Sequence, residues 1–350
     1  MRQLVTVALS GGADSAVAAL VLMRGPYEVR AMHLLLTDSP ASLAQREQVQ
    51  VLSQRLGIDL HVVDLVQEFA SQVVEPFCSE YASARTPNPC VVCNRGIKFG
   101  VMLREALSRG ADWLATGHYA RIERHAGRSM LLRALDKRAD QSYFLYAVDG
   151  AALERVLFPL ATMTRKEVRA IASGEGLPTG RPSKDICFIN DRSYHRFMAS
   201  RVSSPAGDIV DTGGTVLGQH KGLPFYTVGQ RRGLGVALGE PQYVVRLDAR
   251  ANQLVVGTED ELYSEAATLR SLTWLAGKPL GSTLDVRAKA RFRSRGTPAH
   301  VTFTSGEAYV RFSEPQRAIA PGQSIVFYSG DVVLGGGVIH EAHREAKRAR

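Results

Sequence analysis

The stretch that most restricts this chain's fold runs from residue 4 to residue 23. Leu4 to Leu9 is a short apolar run rich in β-branched residues and reads as a strand, and Ala16 to Met23 reads as a helix packed back on it. Between them lies Ser10-Gly11-Gly12-Ala13-Asp14-Ser15. Adjacent glycines let backbone N–H groups close on an anion, Ser10 and Ser15 add hydroxyl donors, and the following helix presents its positive end. Such a turn is a phosphate cradle. No Gly-Lys-Ser/Thr follows, so it is not of the Walker type, and it lacks the three spaced glycines of a dinucleotide fingerprint. A bare Gly-Gly would be an ordinary turn, but the serines and aspartate at these spacings after a strand favour a nucleotide.

From there to about residue 190 strand and helix patterns alternate. Val29 to Leu36 reads as a strand, Leu43 to Leu56 as a helix, Leu60 to Val63 as a strand, with another helix from Val66. This order predicts an α/β fold with a doubly wound parallel sheet, whose ligands sit at the carboxyl ends of strands. Ser10 to Ser15 and Thr116-Gly117-His118-Tyr119, after Trp113 to Ala115, therefore converge on one crevice. Residues 77 to 95, with Pro87 and Pro89 at alternate positions, read as a loop, and Asn94 to Ser108 as a helix with Cys93 at its start. Arg121 to Leu135 reads as a hairpin turning at Ala126-Gly127, and Asp140 to Tyr146 as a capped helix start. Thr164-Arg165-Lys166-Glu167 matches a capping box. Beyond residue 192 glycine rises and short strands with turn signals dominate, which predicts a central linker domain at 193–264, a small antiparallel β-barrel at 265–342 and a basic tail at 343–350.

With 350 residues, 45% of them hydrophobic, the chain can fill two or three domains. No run reaches the eighteen or so apolar residues of a membrane span, and the first apolar run is too short for a signal peptide, so a cytoplasmic protein is expected. Its cysteines, Cys78, Cys90, Cys93 and Cys187, would then be reduced, which favours a redox, nucleophilic or metal role over a static disulfide. Lys and Arg number 43 against 34 Asp and Glu, a formal charge of +9 that suits a polyanionic partner. Arg287, Lys289, Arg291, Arg293 and Arg295 alternate along one predicted strand and would share a face.

Cys90-Val91-Val92-Cys93 alone is open to three readings: a redox pair, half of a zinc site, or buried thiols. Cys187, in Ile186-Cys187-Phe188-Ile189, reads by its neighbours as a core thiol on a buried strand. A resemblance changes that weighting. The SGGADS run resembles the loop of the ATP pyrophosphatase (PP-loop) superfamily. Thr86-Pro87-Asn88-Pro89-Cys90-Val91-Val92-Cys93-Asn94-Arg95-Gly96-Ile97-Lys98-Phe99 resembles the cysteine segment of bacterial tRNA-specific 2-thiouridylases. Thr116 to Arg121, Asp140 to Leu145, Asp185 to Ile189, Tyr226 to Arg231 and Pro321-Gly322-Gln323 agree with the same family in order.

The resemblance implies ATP-dependent 2-thiolation of the wobble uridine of tRNA: adenylation of the carbon-2 oxygen, then sulfur transfer from a cysteine persulfide. It implies ATP with Mg²⁺ as cofactors, tRNA through its anticodon stem-loop and a sulfur-donor protein (a cysteine desulfurase or relay protein) as partners, and a monomer. By motif, Cys187 corresponds to the persulfide carrier and Cys93 to the nucleophile that ends in a disulfide with it. Placement near a helix start would lower the Cys93 pKa. ATP would meet Ala8, Leu9, Ser10, Gly11, Gly12, Ala13, Asp14, Ser15, Leu34 and Gly117, with Asp14 toward Mg²⁺. tRNA would meet Asn88, Pro89, Cys90, His118, Ala139, Asp140, Gln141, Arg291, Phe292 and Gln323. Cys90 stands where many family members carry Asp, an acid/base position, and the alternative is a [4Fe-4S] cluster on Cys90, Cys93 and Cys187. Other adenylating enzymes, such as a tRNA lysidine synthase or an amidotransferase, need no paired thiols. An intact SGGADS argues against a non-catalytic RNA-binding module.

Overall fold

The computed structural model describes residues 2–125, 128–180, 186–189, 194–236, 239–277, 279 and 281–344. The apolar run forms the strand Gln3–Ala8, with Val5 and Val7 fully buried. It pairs in parallel with Tyr27–Leu35 on one side and Trp113–Ala115 on the other. Leu60–Asp64 and Val156–Leu157 complete a parallel sheet in which the order runs outward in both directions from the first strand. That reversal opens a crevice at the carboxyl ends of Gln3–Ala8 and Trp113–Ala115, where a doubly wound sheet binds its ligand. Helix Ala13–Met23 covers one face and packs on helix Arg165–Gly174 through Val17, Val168 and Ala172. The other face is covered by Leu103–Ser108 and by Tyr143, Tyr146 and Phe158. The capping box appears as expected, with the Thr164 hydroxyl accepting from the Glu167 N–H and Glu167 accepting from the Thr164 N–H.

The predicted loop at residues 77–95 is instead largely helical. Glu75–Ala82 is a helix, an extended link holds Pro87, and a new helix starts with Pro89–Cys93 and continues to Ser108, its middle, Asn94–Met102, wound loosely as a π-helix. Pro89 does not break this helix because it occupies the first turn, where a missing N–H costs nothing. The Asp140 region gives only a short 3₁₀ turn, Ser142–Phe144. Cys187 lies in a turn closed by the Ile189 N–H on the Ile186 carbonyl, not on a strand.

A central four-stranded sheet follows, ordered Tyr243–Asp248, Gln253–Gly257, Gly207–Val210, Val216–His220. The barrel has six antiparallel strands: Tyr263–Trp274, Ala308–Arg317, Thr297–Phe303, Thr283–Lys289, Ser324–Ser329 and Val332–His343. The last closes on the first. Small residues such as Ala288, Ala299 and Ala308 alternate inward with Val301, Val310 and Phe327, the taper a narrow barrel needs. The hairpin Ala120–His125 with Arg128–Arg133, far earlier in sequence, extends the barrel sheet through Val332 and Leu132. Its turn at residues 126 and 127 lies outside the described residues, as does the tail beyond Arg344. No helix among the described residues is long and apolar enough to cross a membrane.

The predicted basic strand is shorter than its pattern. It ends at Lys289, and Arg291 to Ser294 fold into a turn in which Ser294 donates back to the Arg291 carbonyl. Arg287 stays exposed, whereas Lys289 is 8% exposed and lies beneath the rings of Tyr143 and Phe292. The five cations therefore do not form one strand face.

The barrel meets the cysteine segment at a backbone-to-backbone joint. The Thr86 N–H donates to the Pro321 carbonyl at 2.7 Å, and Gln323 Nε2 donates to the carbonyls of Thr86 and Pro87. Gly322, at φ +92°, lies so close that a Cβ there would stand 2.8 Å from the Thr86 oxygen. Gly322→Ala should therefore cost about 1–3 kcal/mol and lower the thermal midpoint by several degrees. Gly330→Ala, also at positive φ but facing open space, should cost measurably less. Equal shifts in a melting experiment would contradict the joint.

Candidate functional site

The phosphate cradle is held by its own serines and by two neighbouring elements. Ser15 is buried, donates to the Gly12 carbonyl at 3.0 Å and accepts from the Ser10 N–H at 3.1 Å. Its hydroxyl therefore shapes the loop, while Ser10 stays exposed at the rim. Gly11 takes φ +79°, and Gly12 opens the helix. Gln45, from helix Pro40–Leu56, donates to the Ser10 carbonyl at 2.7 Å. Gly117 presses on the loop from the other side: a Cβ there would lie 2.8 Å from the Asp14 carbonyl carbon and 2.9 Å from the Ser15 nitrogen. Ala8 ends the strand and Leu9 is buried beneath the loop.

Beside the loop is a cavity of about 510 Å³ lined by Ser10 to Ser15, Gln45, Gln48, Arg165, Arg169, Pro178 and Gly180. Tyr119 donates its hydroxyl to Asp14 Oδ1 at 2.8 Å, and Gln141 holds Tyr119 by accepting from its N–H and donating to its carbonyl. The Arg165 guanidinium lies 5.3 Å over the Tyr119 ring. Burial and the Asp14 carboxylate push the Tyr119 phenol up, so it stays a donor. Sequence reasoning missed Gln45, Gln48, Tyr119, Arg165 and Arg169. Tyr119 was findable as the residue after Gly117-His118, but Arg165 sits in a capping box that explains itself as structure.

A smaller cleft adjoins this cavity. Leu34, Leu36, Thr37, Phe69, Cys187 and Phe188 line it, and Gln45 lines both. Phe188 anchors the turn by packing edge-on against Phe69 and Phe77, which leaves Cys187 exposed. Cys90 is exposed near the start of its helix, and Cys93, one turn on, is 7% exposed. The three thiols are close enough to influence one another. Protein packed around Cys187, then the Cys93 and Cys90 sulfurs, push its thiol up to about 11, with Lys98 pulling the other way. Burial pushes the Cys93 thiol up as well, against Lys98. The predicted lowering by a helix start is thus corrected: the helix begins at Pro89, so Cys93 lies inside it rather than at its positive end. Among the described residues no three His, Cys, Asp or Glu side chains group closely enough to hold a metal ion.

The residues assigned to tRNA fall into two kinds. Asn88, Pro89 and Cys90 lie along the outer start of the cysteine helix, half-buried or exposed, and Gln323 touches the same segment. Arg291 is exposed next to Phe292, whose ring packs 4.5 Å from Phe144, and the Phe144 carbonyl accepts from Asn94 Nδ2. By contrast Ala139 and Asp140 are 2% exposed, with Asp140 accepting from the N–H groups of Ala134 and Ser142. His118 accepts or donates to Thr116 at 2.8 Å between Phe99 and Phe158, and burial holds it well below its usual pKa, hence neutral. Ala139 and Asp140 are thus buried, and His118 is half-buried in an aromatic setting.

Because the Cys187 thiol titrates near 11 with Lys98 as its nearby cation, its alkylation by iodoacetamide should rise about tenfold per pH unit from pH 7 to 10. Lys98→Met should slow it across that range. Residue-resolved mass spectrometry would contradict this if the rate levelled off near pH 8 or ignored the substitution.

Matches to known proteins cover nearly all of the chain. Residues 3–191 match the family described as the tRNA methyl transferase HUP domain, residues 195–258 its PRC-barrel domain, and residues 264–339 the aminomethyltransferase beta-barrel domain. A tRNA-specific 2-thiouridylase MnmA of Desulforudis audaxviator is 43% identical over 97% of this chain and 99% of its own length. One of Syntrophotalea carbinolica is 44% identical over 96% of this chain and 98% of its own, and one of Geobacter metallireducens 42% over 98% of both.

Proposed function

We propose, from the premise that this chain belongs to the tRNA-specific 2-thiouridylase family, that it replaces the carbon-2 oxygen of the wobble uridine of tRNA with sulfur at the expense of ATP. The observation that carries this reading is the meeting of the helix that holds Cys93 with the turn that holds Cys187, which share one apolar cluster, within electrostatic reach of each other and beside the phosphate loop. Although the domain descriptions speak of methyl transfer, a thiol pair beside a phosphate cradle is the equipment of sulfur exchange.

A uridine carbonyl is a poor electrophile, so its oxygen must first become a leaving group. The oxygen attacks the α-phosphorus of ATP, the α–β bridging bond breaks, and pyrophosphate departs from the cradle. Asp14, in the cavity lining, would hold the Mg²⁺ that accompanies ATP through a carboxylate oxygen, and the metal would offset phosphate charge there. Leu34, lining the cleft shared with Cys187, marks the adenine side. A donor protein leaves a persulfide on the exposed Cys187. Its terminal sulfur attacks carbon 2 and AMP leaves. Cys93 then attacks the Cys187 sulfur, which breaks the persulfide bond, leaves one sulfur on the base and joins Cys93 to Cys187 as a disulfide that an external dithiol reduces.

The segment to residue 192 thus houses nucleotide and thiols, 193–264 links, and 265–342 holds RNA against the Cys90 helix. Single-stranded anticodon bases are read by splaying and stacking, which suits Arg291, Phe292 and the exposed Asn88 to Cys90. A cluster on Cys90, Cys93 and Cys187 does not fit: one thiol is buried, two are exposed, and the three do not form a metal-binding group. Cys90 occupies the helix start, near Lys98, where a proton donor would serve the base.

Cys93→Ser and Cys187→Ser should each reduce 2-thiouridine formation by more than about 100-fold while pyrophosphate release with tRNA persists within about threefold. Nucleoside mass spectrometry with a pyrophosphate assay checks both, and full thiolation by either variant would overturn the mechanism. Gly117→Ala, by forcing the loop apart, should abolish pyrophosphate release with the thiols intact; an unchanged rate would contradict the nucleotide site.

A further inference from the structure

A phosphate loop without lysine leaves a charge problem. In the Walker loop a lysine answers the β- and γ-phosphates, but Ser10 to Ser15 contains no cation and carries Asp14. Even with the Mg²⁺ that accompanies ATP, backbone N–H groups and one helix end face a polyanion of about four charges, and a further positive group would stabilise the leaving pyrophosphate. Among the described residues lining the cavity, the cations are Arg165 and Arg169, which lie four apart on helix Arg165–Gly174 and so on one face.

Arg165 is built into place rather than free to wander. Its N–H donates to Asp136 Oδ2 at 3.1 Å, and the capping box of Thr164 and Glu167 fixes the same turn. Its guanidinium lies over the Tyr119 ring, 5.3 Å from the ring centre, and the Tyr119 hydroxyl in turn holds Asp14 of the loop. Yet the Arg165 Nε–H is buried without a hydrogen-bond partner. A buried guanidinium N–H left unsatisfied is costly, and it is tolerated where a ligand completes it. A planar fork held over a ring beside an anion cradle is suited to two adjacent phosphoryl oxygens.

We propose that Arg165 is a further catalytic residue of this site, which clasps the β- and γ-phosphates of ATP and takes the negative charge that accumulates on pyrophosphate as the α–β bond breaks. Arg169, exposed one turn along the helix, adds charge at the mouth. Tyr119 serves as the platform that keeps the guanidinium aimed at the loop. The proposal rests on the reading that this loop splits ATP into AMP and pyrophosphate.

The test is calorimetric binding of inorganic pyrophosphate and of AMP, separately and with Mg²⁺, to the full chain and its variants. Arg165→Gln should weaken pyrophosphate at least about tenfold and leave AMP within about twofold. Arg165→Lys, which keeps the charge and loses the fork, should fall between, and it decides the matter should the glutamine variant not fold. Equal weakening of both ligands would mark a structural residue and overturn the proposal, as would unchanged pyrophosphate binding by both variants. If the unaltered protein binds neither pyrophosphate nor ATP, the nucleotide reading itself fails, and that result is distinguishable because it appears before any substitution.

Discussion

The turn after Trp113–Ala115 lies against the phosphate loop only because residue 117 has no side chain. A Cβ at Gly117 would meet the backbone of Asp14 and Ser15 at 2.8–2.9 Å, so two loops from neighbouring parallel strands are joined backbone to backbone at the point where the sheet order reverses. From that contact the rest of the site takes its position. His118 is tucked between Phe99 and Phe158, which ties the turn to the cysteine helix, and Tyr119 reaches back to Asp14. Gln141 clasps Tyr119 by both its backbone groups, and the Ser142–Phe144 turn that follows packs on Phe292 of the barrel. A continuous set of packed and hydrogen-bonded groups thus runs from the phosphate loop to the barrel segment assigned to RNA.

A second such joint lies at the barrel's other contact. Gly322 and Gln323 hold the extended link at Thr86 and Pro87 that delivers the helix carrying Cys90 and Cys93. The hairpin at residues 120–133 contributes its own strands to the barrel sheet. The barrel is therefore not an appendage on a linker. It is fixed at the nucleotide side and at the thiol side, so the barrel, the phosphate loop and the cysteine helix hold one relative placement.

Much of this was legible in the sequence, and what was not has physical causes. The parallel sheet, the cradle and the capping box were plain because each is a local pattern with a local consequence. The cysteine segment misled: two prolines at alternate positions read as a loop, yet one sits in the link and the other in the first turn of a helix, where its missing N–H is no loss. With the helix starting earlier, Cys93 moves away from the positive helix end, and burial raises its pKa instead. Cys187 looked like core because its neighbours are apolar; Phe188, Ile186 and Ile189 do pack into the core and anchor the turn, but the sulfur between them faces outward. The basic stripe assumed a strand that continues past Lys289, whereas the chain turns at Arg291. Arg165 and Gln45 could not be seen at all, because their importance lies in long-range placement and not in any spacing.

The central claim is that sulfur passes from Cys187 with Cys93 as the thiol that releases it. One single-turnover reaction measures this directly: persulfidated protein, tRNA, ATP and Mg²⁺ without added reductant, quenched by alkylation and analysed by peptide mass spectrometry. The account predicts one Cys93–Cys187 disulfide for each 2-thiouridine and each AMP formed, with Cys78 alkylated as a free thiol. Formation of 2-thiouridine with Cys93 and Cys187 both recovered as alkylated thiols would contradict it.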